Sequence, residues 1–102
     1  MTQKMIRYTV KHDRVAENEA YVTAVFEQLK REGPAGLCYA TFKLEDGVSF
    51  VHIVSYEAEN SSNALSDLPA FKAFRADIKA RCEIQPMSTG LKEIGTYQFF
   101  NE

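Results

Sequence analysis

No stretch of this chain approaches the roughly 18 apolar residues that a membrane-spanning helix needs, and the opening Met1-Thr2-Gln3-Lys4 lacks the apolar core of a signal peptide. The expected location is therefore the cytoplasm, with no membrane partner. Cysteine is scarce. Cys38 and Cys82 lie too far apart for a CxxC redox or zinc motif, and in a reducing compartment both are expected as small buried apolar residues. Histidine is as sparse, and His12 and His52 share no zinc-like spacing with the cysteines, so no metal is expected. Gly-rich phosphate loops and a nucleophile elbow are absent as well. Basic charge is not concentrated either. Twelve Lys and Arg are spread along a chain with 14 Asp and Glu, leaving a net charge of -2. Neutralising phosphates requires clustered cations, which argues against a nucleic-acid partner.

What is present is ordinary globular composition, 45% hydrophobic and 25% charged over 102 residues, enough for a single domain spanning residues 1–102. A domain of this size removes only about two-thirds of its unfolded surface from water, so covering a further face by dimerisation adds stability.

Residues 4–11 alternate Ile6, Tyr8 and Val10 with Arg7, Thr9 and Lys11, the period of a half-buried strand. Asp13 offers a helix N-cap. In residues 15–32, Val22, Val25, Phe26 and Leu29 form one apolar stripe that ends at Gly33-Pro34. Strands 37–45 and 48–57 flank Asp46-Gly47, a pair suited to a two-residue hairpin turn. After the polar run 59–63, a second helix is expected to begin between Ser66 and Pro69, with Phe71, Phe74, Ile78 and Cys82 on its stripe. A last strand is expected over residues 91–100. The order β-α-β-β-α-β predicts an α+β, ferredoxin-like antiparallel sheet with two helices on one face.

A turn centred on Asp46-Gly47 places Thr41 opposite His52 and Ala40 opposite Ile53. One face then holds Cys38, Ala40, Phe42 and Leu44 with Ser49, Val51, Ile53 and Ser55, small or apolar residues expected under the helices beside Ile6, Tyr8 and Val10. The other holds Leu37, Tyr39, Thr41 and Lys43 with Val48, Phe50, His52, Val54 and Tyr56, joined by Arg7, Thr9 and Lys11. That mixed face is expected to point away from the helices, under the cover of a second copy.

Tyr8-Thr9-Val10 in the first strand, Asp46-Gly47 and Phe50-Val51-His52-Ile53-Val54 in the hairpin, and Leu68-Pro69-Ala70-Phe71 opening the second helix together resemble the dimeric α/β-barrel superfamily, nearest its antibiotic-biosynthesis-monooxygenase-like members. The resemblance covers nearly the whole chain. It implies a homodimer whose sheets pair into a barrel, and a ligand cavity between sheet and helices. The superfamily includes cofactor-free oxygenases, haem-degrading enzymes and isomerases, so the fold does not fix a reaction. Haem-degrading members rely on a tryptophan as well as a histidine, and this chain has no tryptophan.

His52 is the candidate catalytic residue, a proton acceptor near neutral pH; the bland reading is a histidine bonded to Thr41 or to the partner subunit. Tyr39, Thr41, Phe50 and Tyr56 are candidate ligand-binding residues for a small aromatic molecule, and Arg7 is a candidate grip for its anionic group, although interface packing and surface ion pairing explain the same residues. Arg75, Asp77, Lys79 and Arg81 read as the charged outer side of the second helix. The functional expectation is a cofactor-independent monooxygenase acting on a phenolic or quinol-like molecule, with no cofactor. The alternative is a non-catalytic dimeric module that binds a small ligand or a partner. RNA-recognition domains share the element order, but Gly47-Val48-Ser49-Phe50-Val51-His52-Ile53 has Asp46 where a basic residue should meet phosphate and Val48 where an aromatic should stack.

Overall fold

The structure, a computed structural model, describes residues 2–57 and 59–99, with residues 59–62 described by their backbone alone. Strand β1 (Thr2–Val10) leads through a 3-10 turn (His12–Arg14) into helix α1 (Val15–Glu32), the hairpin strands β2 (Leu37–Lys43) and β3 (Ser49–Tyr56), helices α2 (Glu59–Ser66), α3 (Pro69–Ala76) and α4 (Ile78–Arg81), and strand β4 (Cys82–Leu91). The sheet order is β2-β3-β1-β4 and every pairing is antiparallel. This is the expected α+β, ferredoxin-like arrangement, with the second helix broken into pieces.

Helix α1 ends where Gly33 takes a left-handed conformation (φ 54°) and its N–H reaches the Leu29 carbonyl at 2.7 Å, a position that glycine occupies without a Cβ clash. At its start, Arg14 rather than Asp13 is the N-cap residue, and no side-chain cap forms. Arg14 instead binds Glu17 and, at 3.1 Å, Asp77. Asp77 has φ -114° and ψ 7°, a conformation that interrupts the helical run and separates α3 from α4. Buried Gln28 ties α1 to the start of α3, its Oε1 accepting the Ala70 N–H at 3.0 Å.

The hairpin register is as expected, with Thr41 opposite His52 and Ala40 opposite Ile53, but the turn is wider than Asp46-Gly47. The Gly47 N–H bonds to the Leu44 carbonyl at 3.0 Å, and Gly47 itself lies at φ 77°. The Asp46 carboxylate accepts from the Val48 and Ser49 N–H groups and from the Ser49 hydroxyl. That hydroxyl first, then the two N–H groups, hold the carboxyl below its ordinary pKa.

Register settles which residues share a face, not which face carries the helices. Strand β1 decides that. Tyr8 pairs with Phe50 and Ile6 with His52, and directly opposed residues share a face. Phe50, His52, Val54 and Tyr56 are therefore buried beside Tyr8 and Val10, under Val25 of α1, Leu65 of α2 and Phe74 of α3. The expected faces of the hairpin are thus reversed. His52, 3% exposed, points toward the helices, while Cys38 is exposed and Phe42 is 45% exposed on the open side. The wide gap between sheet and helices calls for side chains the size of Tyr39, Phe50 and Tyr56; Cys38 and Ala40 are too small to reach across it. Cys82 is buried as expected.

The last strand starts at Cys82, nine residues before the expected start at Leu91, and Phe100 lies outside the described residues. Pro86 and Gly90 disguise it. They are tolerated because β4 is an edge strand, and its register against β1 shifts between Arg7 and Thr9, the stretch opposite Gln85 and Pro86. The polar run 59–63, expected as a loop, belongs to α2 from Glu59 onward. No helix among the described residues is long and apolar enough to cross a membrane.

Candidate functional site

Between the sheet and the short helices lies a cleft of about 760 Å³, within the usual size range for small-molecule sites. Its walls are apolar, built from Ile6 and Val54 of the sheet, Leu65 of α2, Phe71 and Phe74 of α3, and Ile78 of α4. Aromatic rings meet through it: Tyr8 stacks on His52 at 5.2 Å, and the tilted pairs His52–Phe74 and Phe71–Phe74 lie at 5.4 and 5.9 Å between centroids.

Three lining residues, Tyr8, His52 and Tyr39, belong to one hydrogen-bonded line that continues outside the lining to Asn18, Arg81 and Thr41. Buried Arg81 donates from Nε to Asn18 Oδ1 at 3.1 Å; Asn18 Nδ2 donates to Tyr8 Oη at 3.0 Å; Tyr8 Oη meets His52 Nε2 at 2.7 Å; and His52 Nδ1 meets Tyr39 Oη at 2.6 Å and Thr41 Oγ1 at 2.9 Å. The direction of the line follows from its first member. Arginine has only donors, so Asn18 must turn its oxygen to Arg81 and its NH₂ to Tyr8. Tyr8 then accepts from Asn18, and its own hydrogen has His52 Nε2 as its acceptor. With Nε2 accepting from Tyr8, a neutral imidazole carries its hydrogen on Nδ1 and donates it toward Tyr39 and Thr41. Tyr39 Oη receives that bond and keeps its own O–H for Thr41 or for a ligand.

Burial sets the charge of this line. Desolvation lowers the His52 pKa from 6.5 to about 4, so the imidazole is neutral at pH 7. Desolvation likewise pushes the Tyr8 and Tyr39 hydroxyls far above their ordinary range. The fixed cation is Arg81, whose Nη2 donates to the Phe74 carbonyl at 3.0 Å and whose guanidinium lies over the rings of Tyr21 and Phe74 at 4.4 and 5.2 Å. Its Nη1 lacks a hydrogen bond among the described residues and sits 3.6 Å from the Asp77 carboxylate.

Of the residues expected at a site, the structure brings together His52, Tyr39 and Tyr56 on the cleft wall, with Thr41 bonded to His52. Phe50 is 2% exposed and stacks on Tyr8 at 5.6 Å, outside the lining of the cleft. Arg7 pairs with Val51 and Met87 on the open face, away from the others. The expectation that all these residues face a cavity beyond the sheet is thus corrected: the cleft forms within one chain, on the helix side. Sequence reasoning missed Tyr8, Asn18 and Arg81. Arg81, expected on an outer surface, is fully buried. The overlooked signal was position. Asn18 continues the stripe Val22, Val25, Leu29 four residues earlier, and Arg81 follows Phe71, Phe74 and Ile78 at helical spacing; a polar group on an apolar stripe marks a buried network.

Among the described residues no three His, Cys, Asp or Glu side chains gather as a metal site. His52 in particular has both ring nitrogens engaged with protein groups.

The fold is shared with solved structures across almost the whole chain. A structure described as antibiotic biosynthesis monooxygenase matches with a TM-score of 0.78 at 14% identity, covering 93% of this chain and 100% of the other. Rv0793 from Mycobacterium tuberculosis matches at 0.77 and 16% identity, covering 93% and 96%. SnoaB from Streptomyces nogalater, a cofactor-independent oxygenase, matches at 0.69 and 16% identity, covering 93% and 94%. These likenesses establish that the chain shares the ferredoxin-like fold of those structures. At such identities they carry the fold alone. No family model and no curated protein sequence matches the chain.

Proposed function

We propose that this chain is a cofactor-independent oxygenase of small phenolic or quinol-like molecules, working as a homodimer. The observation that carries the reading is an apolar, aromatic-walled cleft lined by Tyr8, His52 and Tyr39, members of one hydrogen-bonded line that ends at Tyr39. SnoaB, with the same fold, is described as such an oxygenase. An electron-rich substrate supplies its own electrons. In an anthrone-type substrate, oxidation of the ring methylene to a carbonyl takes four electrons, which reduce O₂; one oxygen atom stays on carbon and the other leaves as water with the two hydrogens. Such a substrate reacts as its phenolate or enolate, and a donor aimed at the oxyanion lowers that barrier. In this line Tyr39 is the donor and His52 holds it in place. His52 is too weak a base, with both nitrogens engaged, to be the direct proton acceptor expected from the sequence. The substrate proton instead leaves through the cleft mouth to water.

Oxygen uptake by chelator-treated protein with a panel of hydroquinones and anthrones tests the proposal. Turnover is expected without added cofactor, falling about a hundredfold in Tyr39→Phe. Binding without uptake across the panel contradicts catalysis and favours the ligand-binding alternative.

The second copy belongs on the open sheet face. There Phe42, Ile84 and Met87 are 45%, 61% and 71% exposed. Apolar residues so grouped mark an interaction surface. Light scattering at micromolar concentration should give twice the 11.6 kDa of one chain, and Met87→Glu should shift it toward the monomer. A monomer mass for the unaltered protein removes the dimer.

A further inference from the structure

The charges at the mouth of the cleft are all of one sign. Lys4 of β1, Arg75 of α3 and Lys79 of α4 line it from three separate elements, and no carboxylate lines it among the described residues. This runs against the balance of a chain with more acidic than basic residues. Asp77, between Arg75 and Lys79 in sequence, is engaged with Arg14 and Arg81 instead. None of the three cations forms an ion pair among the described residues. Arg75 is steadied over the Phe71 ring, 5.9 Å from its centroid, so its charge sits beside the apolar wall. All three are exposed, and a surface normally interleaves both signs; an unpaired cationic rim around an aromatic cleft is complementary to a ligand with an apolar body and an anionic end.

We infer that the cleft selects planar aromatic carboxylates, with the carboxylate at the mouth against Lys4, Arg75 and Lys79 and the ring end against Tyr39. The inference rests on the reading of this cleft as an aromatic-ligand site and names the class of molecule that the site takes. Arg7, expected from the sequence to grip an anion, is on the other face; these three residues take over that role.

The test uses two probes of equal shape, 6-hydroxy-2-naphthoate and 6-hydroxy-2-naphthamide, titrated by fluorescence at about 20 and about 300 mM salt. Exposed ion pairs are individually weak, so the carboxylate should bind about tenfold more tightly than the amide at low salt, and the preference should shrink at high salt. In the triple variant Lys4→Gln, Arg75→Gln, Lys79→Gln the two probes should bind alike. Equal binding of both probes to the unaltered protein overturns the inference while leaving the cleft an aromatic site. A preference that survives in the triple variant overturns it too. If neither probe binds, the reading of the cleft itself fails, and the inference with it.

Discussion

Replacing Arg81 by Met should destabilise the fold by about 2–6 kcal/mol, because two buried acceptors, Asn18 Oδ1 and the Phe74 carbonyl, lose their donor at about 1–3 kcal/mol each. Methionine restores much of the volume against Tyr21 and Phe74 but no hydrogen bond. Against a total stability of about 5–15 kcal/mol this is a large fraction, and the thermal midpoint should fall by about 10 °C or more. Arg81→Lys should recover part of it, since an ammonium reaches one acceptor but lacks the planar fork. The loss should also reach the cleft. Without Arg81, nothing fixes which end of the Asn18 amide faces Tyr8, and the direction of the line to Tyr39 is no longer set. A thermal midpoint within about 2 °C of the unaltered protein contradicts this role for Arg81.

Acid should weaken the protein well above the pH at which carboxylates protonate. His52 has a pKa of about 4 in the folded chain against 6.5 for the ordinary imidazole. Between those values the unfolded chain holds a proton that the folded chain does not, so lowering the pH favours unfolding. Stability is full above about pH 6.5 and is lost as the pH falls toward 4. The difference of about 2.5 in pKa corresponds to about 3 kcal/mol, of which about 2 kcal/mol is gone by pH 5. Urea midpoints at pH 7.5 and 5.0 should therefore differ markedly in the unaltered protein and much less in His52→Gln. An equal loss in both proteins assigns the acid sensitivity to other groups.

The legibility of the fold from sequence varied with the kind of signal. Asp46-Gly47 placed the hairpin register correctly even though the turn spans residues 44–47, because register depends on the sum of paired positions rather than on turn width. The side of the hairpin that faces the helices was read in reverse. That choice depends on the pairing of β1 with β3, a long-range contact that no local pattern encodes. Strand β4 was hidden by Pro86 and Gly90, residues that only an edge position or a bulge excuses. His52, Tyr39 and Thr41 were recognisable as a polar group on one hairpin face. The residues that orient them were not, because Asn18 and Arg81 were judged by chemical type rather than by their places on apolar stripes.

The measurement that bears most directly on the site is the ¹⁵N spectrum of the His52 imidazole at pH 7, with and without 6-hydroxy-2-naphthoate. The hydrogen-bond line places the proton on Nδ1 and leaves Nε2 as acceptor from Tyr8. The expected spectrum is that of a neutral Nδ1–H tautomer, in which the Nδ1 signal shifts when the ligand engages Tyr39 and Nε2 stays unprotonated down to about pH 5. A proton on Nε2, an imidazolium at neutral pH, or a spectrum indifferent to saturating ligand contradicts the account.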